Sequence, residues 1–230
     1  MNRSLRFPHD ASRNTEGAVE STPYDIFIVG VGGQGVVTMG DLIAEAAMEA
    51  GLPVNVYPTK GMAQRGGSVT VQVRLGRPVA GPEIPEREAD LVIAMERSEA
   101  LKAVRYVGPG ADFLLYGHVW EPTKVMLGRA DYPTLEQVCD QVRAAGAELH
   151  LLDPDEVPRR DGQRLPANVY VLGAAVAATS LGRILDAEAL VSVVVGRWEA
   201  YADVNEAALR AGMASIPGFE VGGDGSQHGA

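Results

Sequence analysis

This sequence is poor in cysteine, histidine, aromatic side chains and positive charge, and it has no long apolar run. Cys139 is the single cysteine in 230 residues. That excludes a disulfide framework within the chain and any zinc or iron–sulfur site ligated by its own thiolates. Cys139 falls in the helical pattern LEQVCDQVRAAG and is expected to behave as a small buried apolar residue. The four histidines are scattered, so no metal-ligand spacing appears. Lys and Arg number 20 against 30 Asp and Glu, giving a net charge of −10 and a pI near 4.9. Nonspecific nucleic-acid binding needs a basic footprint that this balance does not supply. No apolar stretch approaches the roughly 20 residues that span a bilayer, so no membrane partner is expected. No secretory h-region precedes residue 24, and a soluble cytoplasmic protein is the expectation.

What is present fits one globular domain with appendages. Residues 1–23 mix polar and charged types without apolar period and read as a flexible N-terminal tail. Residues 24–213 form the domain, and 214–230, rich in glycine, read as a flexible C-terminal tail. Extended patterns at 24–29, 54–57, 68–75, 91–95, 113–116 and 148–152 alternate with helical ones. The helices are expected at 36–49, 98–104, from Pro133 to about 145, and at 169–181, 185–195 and 199–211. Gly51 sits where a helix C-cap glycine belongs, and Gly212 is read as ending the last helix. In SVTVQVRL, Val69, Val71, Val73 and Leu75 share one face, which argues a half-buried strand. The alternation predicts an α/β fold, Rossmann-like, with a largely parallel sheet and helices on both faces.

Residues 26–68 hold most of the chemistry. The apolar run at 26–29 enters Gly30-Val31-Gly32-Gly33-Gln34-Gly35, and a helix follows at once. Such a turn lets the backbone approach an anion, and the helix start offers free N–H groups. The same glycines also serve a tight turn with close helix–strand packing. A dinucleotide site needs an acidic residue at the end of the second strand, about 20 positions on. Here that strand ends in Tyr57-Pro58-Thr59-Lys60. Lys60 facing a 2′-phosphate leaves an NADP reading open, and no Gly-Lys-Ser/Thr follows the turn to make a P-loop. A second glycine turn, GMAQRGGS at 61–68, joins two extended segments. In it, Arg65 suits bidentate recognition of carboxylate or phosphate and Gln64 offers both donor and acceptor, next to Gly66 and Gly67. A solvated surface turn is the bland alternative. His118 follows a strand at a ligand-binding edge, but one histidine alone assigns no role. Asp153-Pro154-Asp155-Glu156 reads as a solvated turn.

GVGGQG at 30–35 followed by GMAQRGGSV at 61–69 resembles the gamma-type subunits of 2-oxoacid:ferredoxin oxidoreductases, most closely the type found as the beta subunit of indolepyruvate:ferredoxin oxidoreductases. Pro166-Ala167-Asn168 to Leu172-Gly173 and Asn205-Glu206-Ala207-Ala208-Leu209 to Gly212 are similar to two later signatures of that family. The resemblance covers residues 24–212. It implies a complex that oxidatively decarboxylates a 2-oxoacid to an acyl-coenzyme A and passes electrons to ferredoxin. Thiamine diphosphate, Mg and [4Fe-4S] clusters would sit on a large partner subunit, coenzyme A would be co-substrate, and this chain would bind no cofactor alone. By motif position it implies a cofactor-side site of Gly30, Gly32, Gly33, Gln34, Gly35, Gln64, Arg65, Gly66 and Gly67. Asn168 and Asn205 serve equally as helix caps, buried hydrogen-bond partners or site residues. An independent NAD(P)-binding oxidoreductase and a nucleotide-free docking module remain the competing readings.

Overall fold

In a computed structural model that describes residues 22–60, 67–120 and 131–215, strands and helices alternate as the patterning requires. Nearly all of both expected tails lies outside the described residues. β1 (Tyr24–Val31) feeds α1 (Val36–Glu49). Then come β2 (Val54–Lys60), β3 (Ser68–Leu75), β4 (Ala89–Ala94), α2 (Arg97–Ala103), β5 (Val107–Tyr116), α3 (Leu135–Ala144) and β6 (Glu148–Leu152). A small ribbon, β7 (Arg159–Arg160) with β8 (Gln163–Arg164), precedes α4 (Ala167–Ala178), α5 (Ala187–Arg197) and α6 (Ala202–Ala214). The main sheet has the order β2-β3-β1-β4-β5-β6. β1, β4, β5 and β6 are parallel, whereas β3 runs against both β1 and β2. The α/β expectation holds, with one reversed strand. Among the described residues no helix is long and apolar enough to cross a membrane.

Period-two alternation splits the core between the faces. Ile26, Ile28, Leu91, Ile93 and Leu114 point toward α1, α4, α5 and α6. Phe27, Val29, Val92, Ala94, Phe113 and Leu115 point toward α2 and α3, where Cys139 is buried as expected. The half-buried reading of β3 needs correction. Its polar face, carrying Gln72 and Arg74, is buried as well. Residues 77–88 fold over it, and the backbone groups of that strap find side-chain partners on the sheet. Arg74 donates to the carbonyls of Gly81 and Glu83 at 3.2 and 3.1 Å, and Gln72 accepts from the Ile84 amide at 2.6 Å. Asp25, almost fully buried, takes Arg74 at 2.9 Å and Arg77 at 2.6 Å. A polar face thus stays inside because each group has a partner.

β5 begins six residues earlier than the apolar pattern indicated, because Gly108-Pro109-Gly110 interrupts the hydrophobic signal. Gly212 does not end the last helix, which continues to Ala214. The glycine serves the crossing of α4 and α6 instead. A methyl group on Gly212 would collide with the Tyr170 carbonyl, and one on Gly173 with the Leu209 carbonyl. Replacing Gly212 by Ala should therefore lower stability by about 2 kcal/mol, as overpacking does, measured as a lower urea midpoint with unchanged slope.

A polar knot ties the far end of the sheet. Asp112 on β5 accepts from Ser180 N and Oγ at 2.8 and 2.6 Å and pairs with His150 of β6 at 2.8 Å, while Tyr24 meets Ser180 at 2.7 Å. Burial raises the Asp112 pKa, but the bonds from His150 and Ser180 outweigh it and hold the carboxyl below its ordinary value. A depressed carboxyl contributes stability above the unfolded pKa, about 4, and loses it as pH falls through the lower folded value. Chemical denaturation at stepped pH should show Asp112→Asn with a shallower loss of stability below about pH 4 than the parent chain.

Candidate functional site

β1 and β4 lie side by side, yet the chain leaves them on opposite faces. It crosses through α1 to β2 on one face and through α2 to β5 on the other. Such a divergence opens a crevice beyond the carboxyl ends of the strands, where open α/β sheets bind ligands. A cleft of about 550 Å³ lies there, walled by residues 31–35 of the first glycine loop with Met95, Tyr116, His118, Trp120, Arg164 and Asn168.

The glycine loop divides its work. Gly30 is buried at the end of β1. Gly32 donates its N–H to the Gly67 carbonyl at 3.0 Å, which joins the two glycine turns at one edge of the sheet. Ser68, the next residue, donates to Glu99 of α2 at 2.7 Å. Gly33 is exposed to the cleft. Gln34 turns its carboxamide inward. Its Oε1 accepts the Val31 N–H at 2.8 Å and its Nε2 donates to the Met95 carbonyl at 2.9 Å, so its side chain is committed to holding β1 beside β4. Gln64, Arg65 and Gly66 lie outside the described residues; of the second turn's site residues, only Gly67 is among them.

Two helix N-termini meet in the cleft. α1 starts at Gly35, whose φ of 74° suits glycine. It has neither a side-chain cap nor an acidic residue in its first turn. α4 starts at Pro166 with neither feature either. They are neighbours: a Cβ on Gly35 would lie 2.5 Å from Asn168 Nδ2. Both positive dipole ends are thus left uncompensated on one surface, which favours an anion. Neither Asn168 nor Asn205 serves as a cap. Asn168 sits inside the first turn of α4 and Asn205 is buried on α6.

Arg164, Trp120 and Tyr116 of the cleft escaped sequence reasoning, whereas His118 lines it from the strand edge where the sequence put it. Arg164 arrives on the β7–β8 ribbon, whose Asp161-Gly162 turn has both residues at positive φ, 52° and 78°. That Asp-Gly pair is a hairpin signal and would have revealed the ribbon. Trp120 is 47% exposed at the mouth, and Tyr116 and His118 stack with centroids 6.1 Å apart. Beside them Arg97 donates to the Gly117 carbonyl at 3.3 Å, and its Nε is the one buried side-chain polar atom without a partner among the described residues. Glu96, fully buried, caps α2 through the Glu99 amide at 2.9 Å and accepts the Tyr132 hydroxyl. Burial first, and Glu96 second, push the Tyr132 phenol well above its ordinary pKa, so it stays neutral. Asp153 caps a single 3-10 turn and Asp155 pairs with Arg164 at 3.2 Å, well short of a metal-diphosphate site.

The sheet order bears on the dinucleotide reading. β3 lies between β1 and β2, so the end of β2 stands two strand spacings, about 10 Å, from the glycine loop. An NADP-type contact from the β2 end would have to bridge that gap.

Comparison with known proteins agrees with this geometry. The family model for pyruvate ferredoxin/flavodoxin oxidoreductase matches residues 25–215. The indolepyruvate oxidoreductase subunit IorB of Archaeoglobus fulgidus is 41% identical over 149 residues, which is 65% of this chain and 74% of that one. Its counterpart in Methanothermobacter thermautotrophicus is 36% identical over 169 residues, 74% of this chain and 85% of that one. Among solved structures, pyruvate oxidoreductase subunit PORC of Thermotoga maritima superposes with a TM-score of 0.62 at 22% identity, covering 84% of this chain and 97% of that one. At that identity the likeness speaks for the fold alone.

The Gln34 clasp yields a prediction. Gln34→Leu keeps the volume but leaves a strand-end amide and carbonyl unpaired, and should cost about 2 kcal/mol of stability. Equilibrium unfolding of the chain without any ligand would check it; an unchanged midpoint would mean the carboxamide does not hold β1 to β4.

Proposed function

The chain belongs to the pyruvate ferredoxin/flavodoxin oxidoreductase family, and from that membership we propose that it is the non-cluster subunit of a 2-oxoacid:ferredoxin oxidoreductase for an aryl pyruvate of the indolepyruvate kind. The substrate class rests on the relatives named indolepyruvate oxidoreductase subunit. In this reading a large partner subunit holds thiamine diphosphate, Mg and [4Fe-4S] clusters, decarboxylates the 2-oxoacid and sends electrons to ferredoxin, and the acyl group leaves on coenzyme A. A cluster does not fit this chain, whose one thiol is buried between α3 and the sheet.

The observation that carries the proposal is the pair of uncapped helix N-termini at the switch-point cleft, where the Gly32–Gly67 bond also brings the second glycine turn to the first. Backbone amides of the first loop and of α1 face an anionic group without carrying a countercharge of their own. Arg164, paired with Asp155, adds a guanidinium at the rim and Trp120 an apolar ring. The ligand for such a surface is a phosphate or carboxylate, and coenzyme A brings phosphates. Arg65, of the second glycine turn, belongs to the same proposed site by motif position. This chain therefore supplies one wall of a composite site: it orients the co-substrate and excludes water, while bond making and electron transfer belong to the partner.

Reconstitution tests this. The chain alone should reduce no ferredoxin from indolepyruvate, and mixing with the thiamine-bearing subunit should restore coenzyme A-dependent reduction. Within the complex, Arg65→Ala and Arg164→Ala should each raise the KM for coenzyme A by about tenfold, the worth of one charge-assisted contact. Tight nicotinamide dinucleotide binding by the chain alone, or turnover without a partner, would overturn the proposal.

A further inference from the structure

Metal-ligand spacing is absent along the chain, but the sheet register supplies it. Asp112 of β5 and Glu148 of β6 are partners on adjacent parallel strands, and His150 stands two residues beyond Glu148 on the same face. The two carboxylates and the His150 ring each offer one ligand atom, and these atoms all lie within 4.8 Å of one another. The charges of this cluster are unbalanced. Asp25, a buried carboxylate at the start of β1, takes two arginines. Asp112, only 8% exposed, has the His150 imidazole and the uncharged Ser180. Glu148 is exposed and has no ion pair among the described residues. Two carboxylates thus share a partly buried place with no lysine or arginine bonded to either, and a bound cation would neutralise them. The surroundings also orient Asp112. The Ser180 hydroxyl spends its hydrogen on Oδ2, so the Tyr24 hydroxyl donates to Ser180 Oγ, at 2.7 Å. With the Ser180 N–H on the same Oδ2, the other oxygen is left facing His150 Nε2 at 2.8 Å. Outer partners of this kind aim the ligands of metal sites.

We propose that Asp112, Glu148 and His150 bind a divalent first-row transition ion of the Zn2+ class, which clips the edge strand β6 to β5. An imidazole nitrogen with two carboxylate oxygens suits such an ion better than Mg2+ or Ca2+, which take oxygen ligands. Ligand bonds of about 2.0–2.2 Å set donor atoms roughly 3.3 Å apart. Glu148, free at the surface, swings inward to reach that spacing, while Asp112 and His150 part slightly. His150 then keeps its ring proton on Nδ1 and gives the Nε2 lone pair to the ion. The three residues lie outside the lining of the switch-point cleft. The ion's work is therefore structural: it fastens β6 and, through Ser180 on Asp112, the turn that follows α4. This inference does not depend on the function proposed above.

The full chain, stripped of metal with a chelator, is the material for the test. Calorimetric titration with Zn2+ should show saturable binding at a single site, and Co2+ should give visible d–d bands stronger than those of its aquo ion. Glu148→Gln, at an exposed position, and His150→Ala should each weaken Zn2+ binding by at least about tenfold. Ser180→Ala, which removes no ligand, should weaken it about tenfold by releasing Asp112. Zn2+ should raise the thermal midpoint of the parent chain and leave that of His150→Ala where it was. The 15N shifts of the His150 ring should place its proton on Nδ1 when Zn2+ is bound. Absence of saturable Zn2+ binding, or parental affinity in both Glu148→Gln and His150→Ala, would overturn the proposal. So would Ca2+ binding as tightly as Zn2+, or loss of the site in a His9→Ala/His228→Ala double variant.

Discussion

The carboxamide of Gln34 closes the one gap in the sheet that the fold itself creates. Where two parallel strands send their crossovers to opposite faces, nothing covers their carboxyl ends, and the last backbone groups must find partners locally. Gln34 supplies an acceptor to Val31 and a donor to Met95. With β1 and β4 fixed at this point, the loop can turn through Gly35 into α1, Gly32 can reach the Gly67 carbonyl, and α1 can point its N-terminus into the crevice. A glutamine within a glycine loop looks like a ligand-facing group. Its side chain instead shapes the site, and the exposed backbone of its neighbours meets whatever binds.

A second cleft, beside the first, depends on how tightly the helical layer closes over the sheet. α4 and α6 cross so closely that Gly173 and Gly212 lie against opposing carbonyl oxygens, and this approach brings Asn205 beside Asn168. On the other face the strap over β3 replaces a helix. Its backbone is held by Arg74, Gln72, Tyr57 and Asn55, and the buried Asp25 pairs with both Arg74 and Arg77. The sheet thus has polar order under the strap and apolar order under the helices. The reversed β3 places β2 outside it, which separates this sheet from one in which the second parallel strand neighbours the glycine loop.

Much of the fold was legible in the chain. The bounds of α1, β3 and β6 follow from apolar period and from Gly51, and the tandem glycine turns identified the family. Other features were hidden for physical reasons. Val69, Val71, Val73 and Leu75 alternate with polar residues whether those face water or a strap, so pattern could not reveal that Gln72 and Arg74 are buried. A helical glycine that permits close crossing resembles one that ends a helix, which is how Gly212 misled. Gly108-Pro109-Gly110 concealed the first half of β5. Asp161-Gly162 carried a readable hairpin signal, but strands of two residues have no period to confirm it.

Sequence by itself determined the α/β class, the lack of ligands for a cluster, and the membership that the two glycine motifs announce. These depend on residue type and local spacing, which the chain states directly. Tertiary structure decided which groups face a ligand. Gln34 faces the sheet because two strand ends needed partners. Arg164 and Asn205 reach clefts because a ribbon and a helix crossing bring distant segments together. Two helix dipoles act on one point because α1 and α4 begin side by side. Each of these is a relation between residues far apart in the chain, and only packing specifies it.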